Sequence, residues 1–258
     1  MNKKIKALIM ISLALLILTL EIYLLVPIRA DYYEKITKHA FDIVYIFVFA
    51  LVFKTSKTLG SKTNDGKIWF FLVLGFVGLL VGDLMQTILL YMNRNIFPAP
   101  AEILRMVGYI ALFMAVLIKF LTIRKLVTKR DIGNGLFVSA CIVSVIGYVF
   151  LIPIAISDYS LLNKIITLFY PIMDTLIILF AVIIISAFGP QHESRPWFFI
   201  CIGLVLWTIA DTMFAFFHWS QIYTMAFNLM NVLSMAGLLV MGVGAEYQKL
   251  VAKKELAT

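Results

Sequence analysis

Long apolar stretches separated by short charged ones run the length of this chain, and they predict eight helices, at about residues 5–27, 36–54, 68–92, 101–123, 134–157, 162–187, 197–218 and 223–247. A helix needs about 20 apolar residues to cross about 30 Å of hydrocarbon, and each stretch is long enough. The first follows a basic Met1-Asn2-Lys3-Lys4 start that resembles a secretory leader. Its apolar run is too long for one and lacks an A-x-A-like cleavage site, so it reads as a retained helix.

Composition agrees. Of 258 residues, 62% are apolar and 14% charged, with a mean hydropathy of +1.00, whereas soluble domains carry roughly a quarter charged residues. The prediction is an all-α polytopic membrane protein with no room for a sizeable water-soluble domain. Its net charge of +8 would suggest nucleic acid in a soluble chain, but here the distribution across loops decides. Cytoplasmic loops retain Lys and Arg. With the N-terminus inside, sixteen of the 22 basic residues fall at inner helix ends and six (Arg29, Lys35, Lys38, Arg94, Arg105, Lys164) at outer ones. The charge therefore describes orientation in a cell membrane, with both termini cytoplasmic and no nucleic-acid partner. Cys141 and Cys201 lie inside apolar runs and suggest neither a disulfide nor a zinc site.

The chain also resembles itself. Lys67-Ile68-Trp69-Phe70-Phe71 leads through Gly75 to Gly82-Asp83-Leu84-Met85, and at an offset of 128 Arg195-Pro196-Trp197-Phe198-Phe199 leads through Gly203 to Ala210-Asp211-Thr212-Met213. With one inserted residue, Leu104, Met106 and Gly108 align with Leu233, Met235 and Gly237, which sets Glu102 opposite Asn231; Asp42 falls near Asp174. The expected organisation is a first four-helix repeat over 1–126, a second over 127–247 and a short cytoplasmic tail over 248–258. An even number of crossings per repeat makes the repeats parallel, with a shared site expected between them.

An ionisable group inside a membrane costs at least about 2.5–3.5 kcal/mol on insertion scales, so it normally faces the bundle interior and finds a partner or water. Glu21, His39, Asp42, Asp83, Glu102, Arg105, Asp211 and His218 fall in the outer halves or ends of the predicted helices, with Asp174 near the middle and Tyr170, Asn228 and Asn231 at similar depth. Clustering at one depth points to a polar cavity open to the outer face. Asp83 and Asp211 either fix helix register or act on a ligand. Asp174 follows Tyr170-Pro171, where the proline loosens the helix. Glu102 and Arg105 are spaced as an i, i+3 ion pair, and Glu21 either partners Arg105 or lines the cavity. His39 and Asp42 share a helix face, but further ligands would have to come from distant helices, so no metal is assigned. Most aromatic side chains read as core and lipid contact, with Trp69, Trp197, Trp219, Tyr32, Tyr33 and Tyr223 near the interfaces. No mid-helix lysine for a retinal Schiff base, phosphate loop, G-x-S-x-G or H-E-x-x-H pattern is present, and no cofactor is expected.

The second half, Tyr170-Pro171-x-x-Asp174, Trp197 through Gly203 to Ala210-Asp211-Thr212, then Asn231 to Gly237, resembles the multi-span N-terminal sensor regions of prokaryotic histidine kinases and cyclic-di-GMP signalling proteins. The first half is similar, from Trp69 through Gly82-Asp83 and Glu102 to Gly108-Tyr109. The resemblance implies ligand detection within the membrane, relayed to a cytoplasmic signalling partner. Asp83, Asp211, Asp174, Asp42, Asn231, Tyr170 and Arg105 are then the candidate contacts to a small polar, cationic or lipid ligand. Gly82-Asp83 in the third helix and Asp211 in the seventh are also similar to the lysoplasmalogenase family, which would make Asp83 and Asp211 catalytic in a vinyl-ether lipid hydrolase. That family's fourth-helix histidine has no counterpart between Leu104 and Tyr109. A small proton- or cation-coupled transporter is the third expectation.

Overall fold

A computed structural model describes residues 3–25, 33–60, 63–92, 98–148, 152–158, 160–188, 195–219 and 225–255, without the side chains of 22–25, 33–38, 90, 146, 153, 155, 214–219 and 225–229. His218 and Asn228 lie outside the described side chains. The described residues form helices and no strand: α1 (Lys3–Leu25), α2 (Tyr33–Leu59), α3 (Asn64–Tyr91), α4 (Pro100–Ile123), α5 (Lys129–Ile146), the five-residue α6 (Ile152–Ile156), α7 (Leu161–Phe188), α8 (Arg195–Trp219) and α9 (Met225–Glu255). Six segments, in α2, α3, α4, α7, α8 and α9, are long and apolar enough to cross a membrane. The chain is thus an all-helical protein with the character of a multi-pass membrane protein.

Several predicted elements differ in extent. The stretch 134–157 is divided into α5 and α6, and Pro153, near the start of α6, lacks the N–H that a continuous helix would use there. α5 begins at Lys129, upstream of the apolar run, behind a capping box in which Thr128 Oγ1 accepts from the Asp131 N–H and the Asp131 carboxylate accepts from the Thr128 N–H at 2.8 Å. α9 continues past the end of its apolar stretch to Glu255. At 1.5 Å per residue its 31 residues extend about 46 Å, longer than the hydrocarbon layer.

The helices group into two compact units, Met1–Leu59 with Pro190–Thr258, and Gly60–Gly189. In the second, α3 and α4 form a tight hairpin, α7 packs on α4, and α5 and α6 pack on α7. In the first, α8 and α9 form the hairpin, α2 packs on α9, and α1 packs on α9 and α2. Each unit therefore joins a hairpin to a third packing helix that is remote from it in the sequence. Thr55 Oγ1 donates to the Ala245 carbonyl at 2.9 Å across the α2–α9 contact.

Both hairpins close through glycine. A methyl group on Gly108 would lie 2.9 Å from the Gly75 carbonyl oxygen and from Leu79 N; one on Gly237 would lie 2.7 Å from the Gly203 oxygen and 2.8 Å from Trp207 N. These contacts stand at corresponding positions of the sequence repeat. Small residues let helix backbones approach closely where hydrocarbon supplies no hydrophobic drive between helices, so association rests on contact area. Trp69 in α3 and Trp197 in α8, six residues before Gly75 and Gly203, are both buried.

Candidate functional site

One end of the α3–α4 hairpin brings together three charged side chains, Asp83, Glu102 and Arg105. α4 starts at Pro100, with Ala99 extended at the N-cap and Glu102 in the first turn, where proline's missing N–H costs nothing and the helix dipole favours a carboxylate. Arg105 follows one turn later on the same face. Its Nε and NH2 donate to Asp83 Oδ1 on α3 at 3.1 and 2.8 Å, and its NH1 donates to Glu102 Oε1 at 2.9 Å. The other oxygen of Glu102 accepts from the Tyr170 hydroxyl on α7 at 2.5 Å. Four residues from three helices thus form one continuous chain of charge-assisted hydrogen bonds, roughly twice as strong as neutral ones.

Aromatic rings back this chain. Tyr109, one turn beyond Arg105 on α4, meets Tyr170 edge to face with centroids 5.2 Å apart, and meets Phe169 at 6.4 Å. Asp174, one turn further along α7, is 1% exposed. Pro171 sits inside α7 between them, and Thr175 Oγ1 donates to its carbonyl at 2.8 Å. The opposite end of the same hairpin has its own ion pair, Lys119 Nζ to Asp65 Oδ1 at 3.6 Å, with the lysine 5.5 Å above the Phe188 ring.

Comparison with family models, curated proteins and solved structures finds no match.

Of the residues expected from sequence, Asp83, Arg105, Tyr170 and Asp174 belong to the Gly60–Gly189 unit, and the first three join one network. Asp42, Asp211 and Asn231 belong to the other unit, on α2, α8 and α9, with Asp42 buried and Asp211 and Asn231 half-buried. Glu102, expected only as an ion-pair partner, is the central link: it is 8% exposed and holds both Arg105 and Tyr170. Its i, i+3 spacing gave the first contact, but nothing local could reveal Tyr170, 68 residues away. Tyr109 and Gly82 were not expected as site residues either. Among the described residues no group of three or more His, Cys, Asp and Glu could hold a metal ion. Cys141 is exposed and Cys201 buried, and neither is in a disulfide.

Among the described residues the network contains two carboxylates and one guanidinium beside an aromatic wall. Asp83 accepts hydrogen bonds in it, whereas a general acid must donate one. Replacing Tyr170 by phenylalanine keeps the ring against Tyr109 and removes only the hydroxyl. It should lower stability by about 1–2 kcal/mol, as expected for a hydrogen bond to a charged acceptor in a membrane protein; thermal unfolding in detergent measures this.

Proposed function

We propose that this chain is a membrane-embedded ligand-binding module of the sensor type, taking a small polar or cationic ligand at the Asp83–Arg105–Glu102–Tyr170 network. In this reading the chain crosses the membrane eight times in two parallel four-helix repeats. Both termini are cytoplasmic, and the network opens to the outer face. The observation that carries it is a network of two carboxylates, a guanidinium and a phenol drawn from three helices of one unit and backed by aromatic rings. Structural glue could be neutral, since a Ser or Asn would fix helix register with less desolvation. Aromatic edges and faces beside carboxylates favour organic cations. Asp174, buried one turn further along α7, adds a carboxyl at the inner side of the network. A signal would leave through helices that join the site to the cytoplasmic side, in this unit α4, whose Arg105 and Lys119 stand at its two ends.

Native mass spectrometry of gently solubilised protein tests the proposal. The expected result is a bound small molecule that wild-type protein retains and Glu102→Gln loses. Turnover of an alkenyl-ether lipid that disappears in Asp83→Asn would replace this reading with a hydrolase. Accumulation of substrate in liposomes only under a proton or sodium gradient would replace it with a transporter.

A further inference from the structure

Gly82 differs from the other glycines on its face of α3. Gly75 and Gly78 lie against Leu112, Gly108 and Leu104, which is close helix packing. A methyl group on Gly82 would fall 2.7 Å from Arg105 Cγ, with the Ala101 carbonyl oxygen at 3.1 Å and Arg105 N at 3.4 Å. Cγ can swing aside only by rotation about χ1, which would carry the guanidinium away from its partners. The backbone fixes it at one end, and the three hydrogen bonds to Asp83 and Glu102 fix the guanidinium at the other. In a densely packed interior such an overlap is relieved only by moving one of the two groups. The hairpin itself is stitched at Gly108, so the arginine is the group that moves.

The sequence repeat supplies a natural comparison. At the corresponding offsets Gly82 becomes Ala210, Glu102 becomes Asn231 and Arg105 becomes Ser234. Ala210 and Ser234 are both buried. Where the arginine is absent the methyl group is present. Where the positive charge is absent, so is one carboxylate, and the net charge of the set including Asp83 or Asp211 is the same.

We infer that Gly82 is the positioning residue of the site: the volume it leaves empty on α3 is the channel in which the Arg105 stem lies. Gly82, Glu102 and Arg105 act as one interdependent set, exchanged together for Ala210, Asn231 and Ser234 in the α8–α9 hairpin. The inference rests on the proposed binding site for the purpose of that arginine, but the coupling itself can be read without any ligand.

The test uses the full-length protein in detergent or nanodiscs, labelled with [15N]arginine. The Arg105 Nε–H resonance, assigned by its loss in Arg105→Ser, should be protected from solvent exchange in the wild type. In Gly82→Ala it should exchange at least about tenfold faster as the ion pair is released. Gly75→Ala disturbs the same hairpin without touching Arg105 and should leave that resonance protected, which a purely structural role for Gly82 would not produce. Melting temperatures complete the cycle. Gly82→Ala and Arg105→Ser should each lower Tm, and Gly82→Ala/Arg105→Ser should lie no lower than Arg105→Ser alone. Unchanged protection in Gly82→Ala, or losses that simply add in the double variant, would overturn the inference. A non-additive cycle in a protein that binds no cation would support it while removing the binding proposal.

Discussion

Replacing Gly237 by leucine is expected to abolish folding, and Gly108→Leu should do the same to the other hairpin. At Gly237 even a methyl group meets the Gly203 oxygen at 2.7 Å and Trp207 N at 2.8 Å. Both atoms are backbone and cannot rotate away. The helices would have to separate, which opens the contact along their whole length where packing is the main source of association. Overpacking a formed core by single methylenes costs about 1–3 kcal/mol, so alanine at either position should cost about 3 kcal/mol. Leucine should exceed the total stability available to a domain of this size, about 5–15 kcal/mol. Gly133 provides the control, because nothing lies within 4 Å of a methyl group there. In the body of α5, Gly133→Ala should be neutral or stabilising by about 0.5–1 kcal/mol through helix propensity. Fluorescence-detected size exclusion after heating separates these outcomes: wild-type-like retention for Gly133→Ala and loss of the monodisperse peak for Gly237→Leu.

Arg105→Ala should be the most damaging substitution of a charged residue. It removes three hydrogen bonds at once and leaves Asp83 and Glu102 facing each other without their shared cation. Removing one partner of a buried pair typically costs about 3–5 kcal/mol. Asp83 and Arg105 retain about a fifth of their side-chain exposure, so water relieves part of that and about 3 kcal/mol is expected. Lysine is a sharper probe than alanine. It restores the charge but not the fork that reaches Asp83 and Glu102 together, and it should recover less than half of the loss. Equal stability of Arg105→Lys and wild type would mean that charge alone matters and that the bidentate arrangement has no role.

The helices and their membrane character were legible in the sequence because both follow from local runs of apolar residues. Gly75, Gly108, Gly203 and Gly237 recur in the internal similarity, but nothing in that recurrence pairs Gly75 with Gly108 or Gly203 with Gly237 as close contacts. Nor was the grouping of helices legible. That α2 packs on α9 and α7 on α4 depends on contacts far apart in the chain, and a uniformly apolar helix shows no polar face from which its neighbour can be read. The site was legible in part. Asp83, Arg105 and Tyr170 stood out because charge and hydroxyl groups are rare in such segments, and the i, i+3 spacing tied Arg105 to Glu102. Arg105 reaches Asp83 through the contact of α4 with α3, and Glu102 reaches Tyr170 through that of α4 with α7, neither of which has a periodic signature. Gly82 shows the same limit, since its spacing with Gly75 and Gly78 looks like packing and only the coordinates put the arginine stem against it.

The most direct test of the central claim is equilibrium binding of small organic cations, methylguanidinium, tetramethylammonium and choline, to nanodisc-embedded protein by isothermal titration calorimetry. Saturable one-site binding of at least one of them is predicted for the wild type, with loss of binding in Glu102→Gln and Asp83→Asn variants that keep the wild-type elution profile. Absence of saturable binding of any of the three, or the same isotherm in both variants, would contradict the account and return the Asp83–Arg105–Glu102–Tyr170 network to a purely structural role.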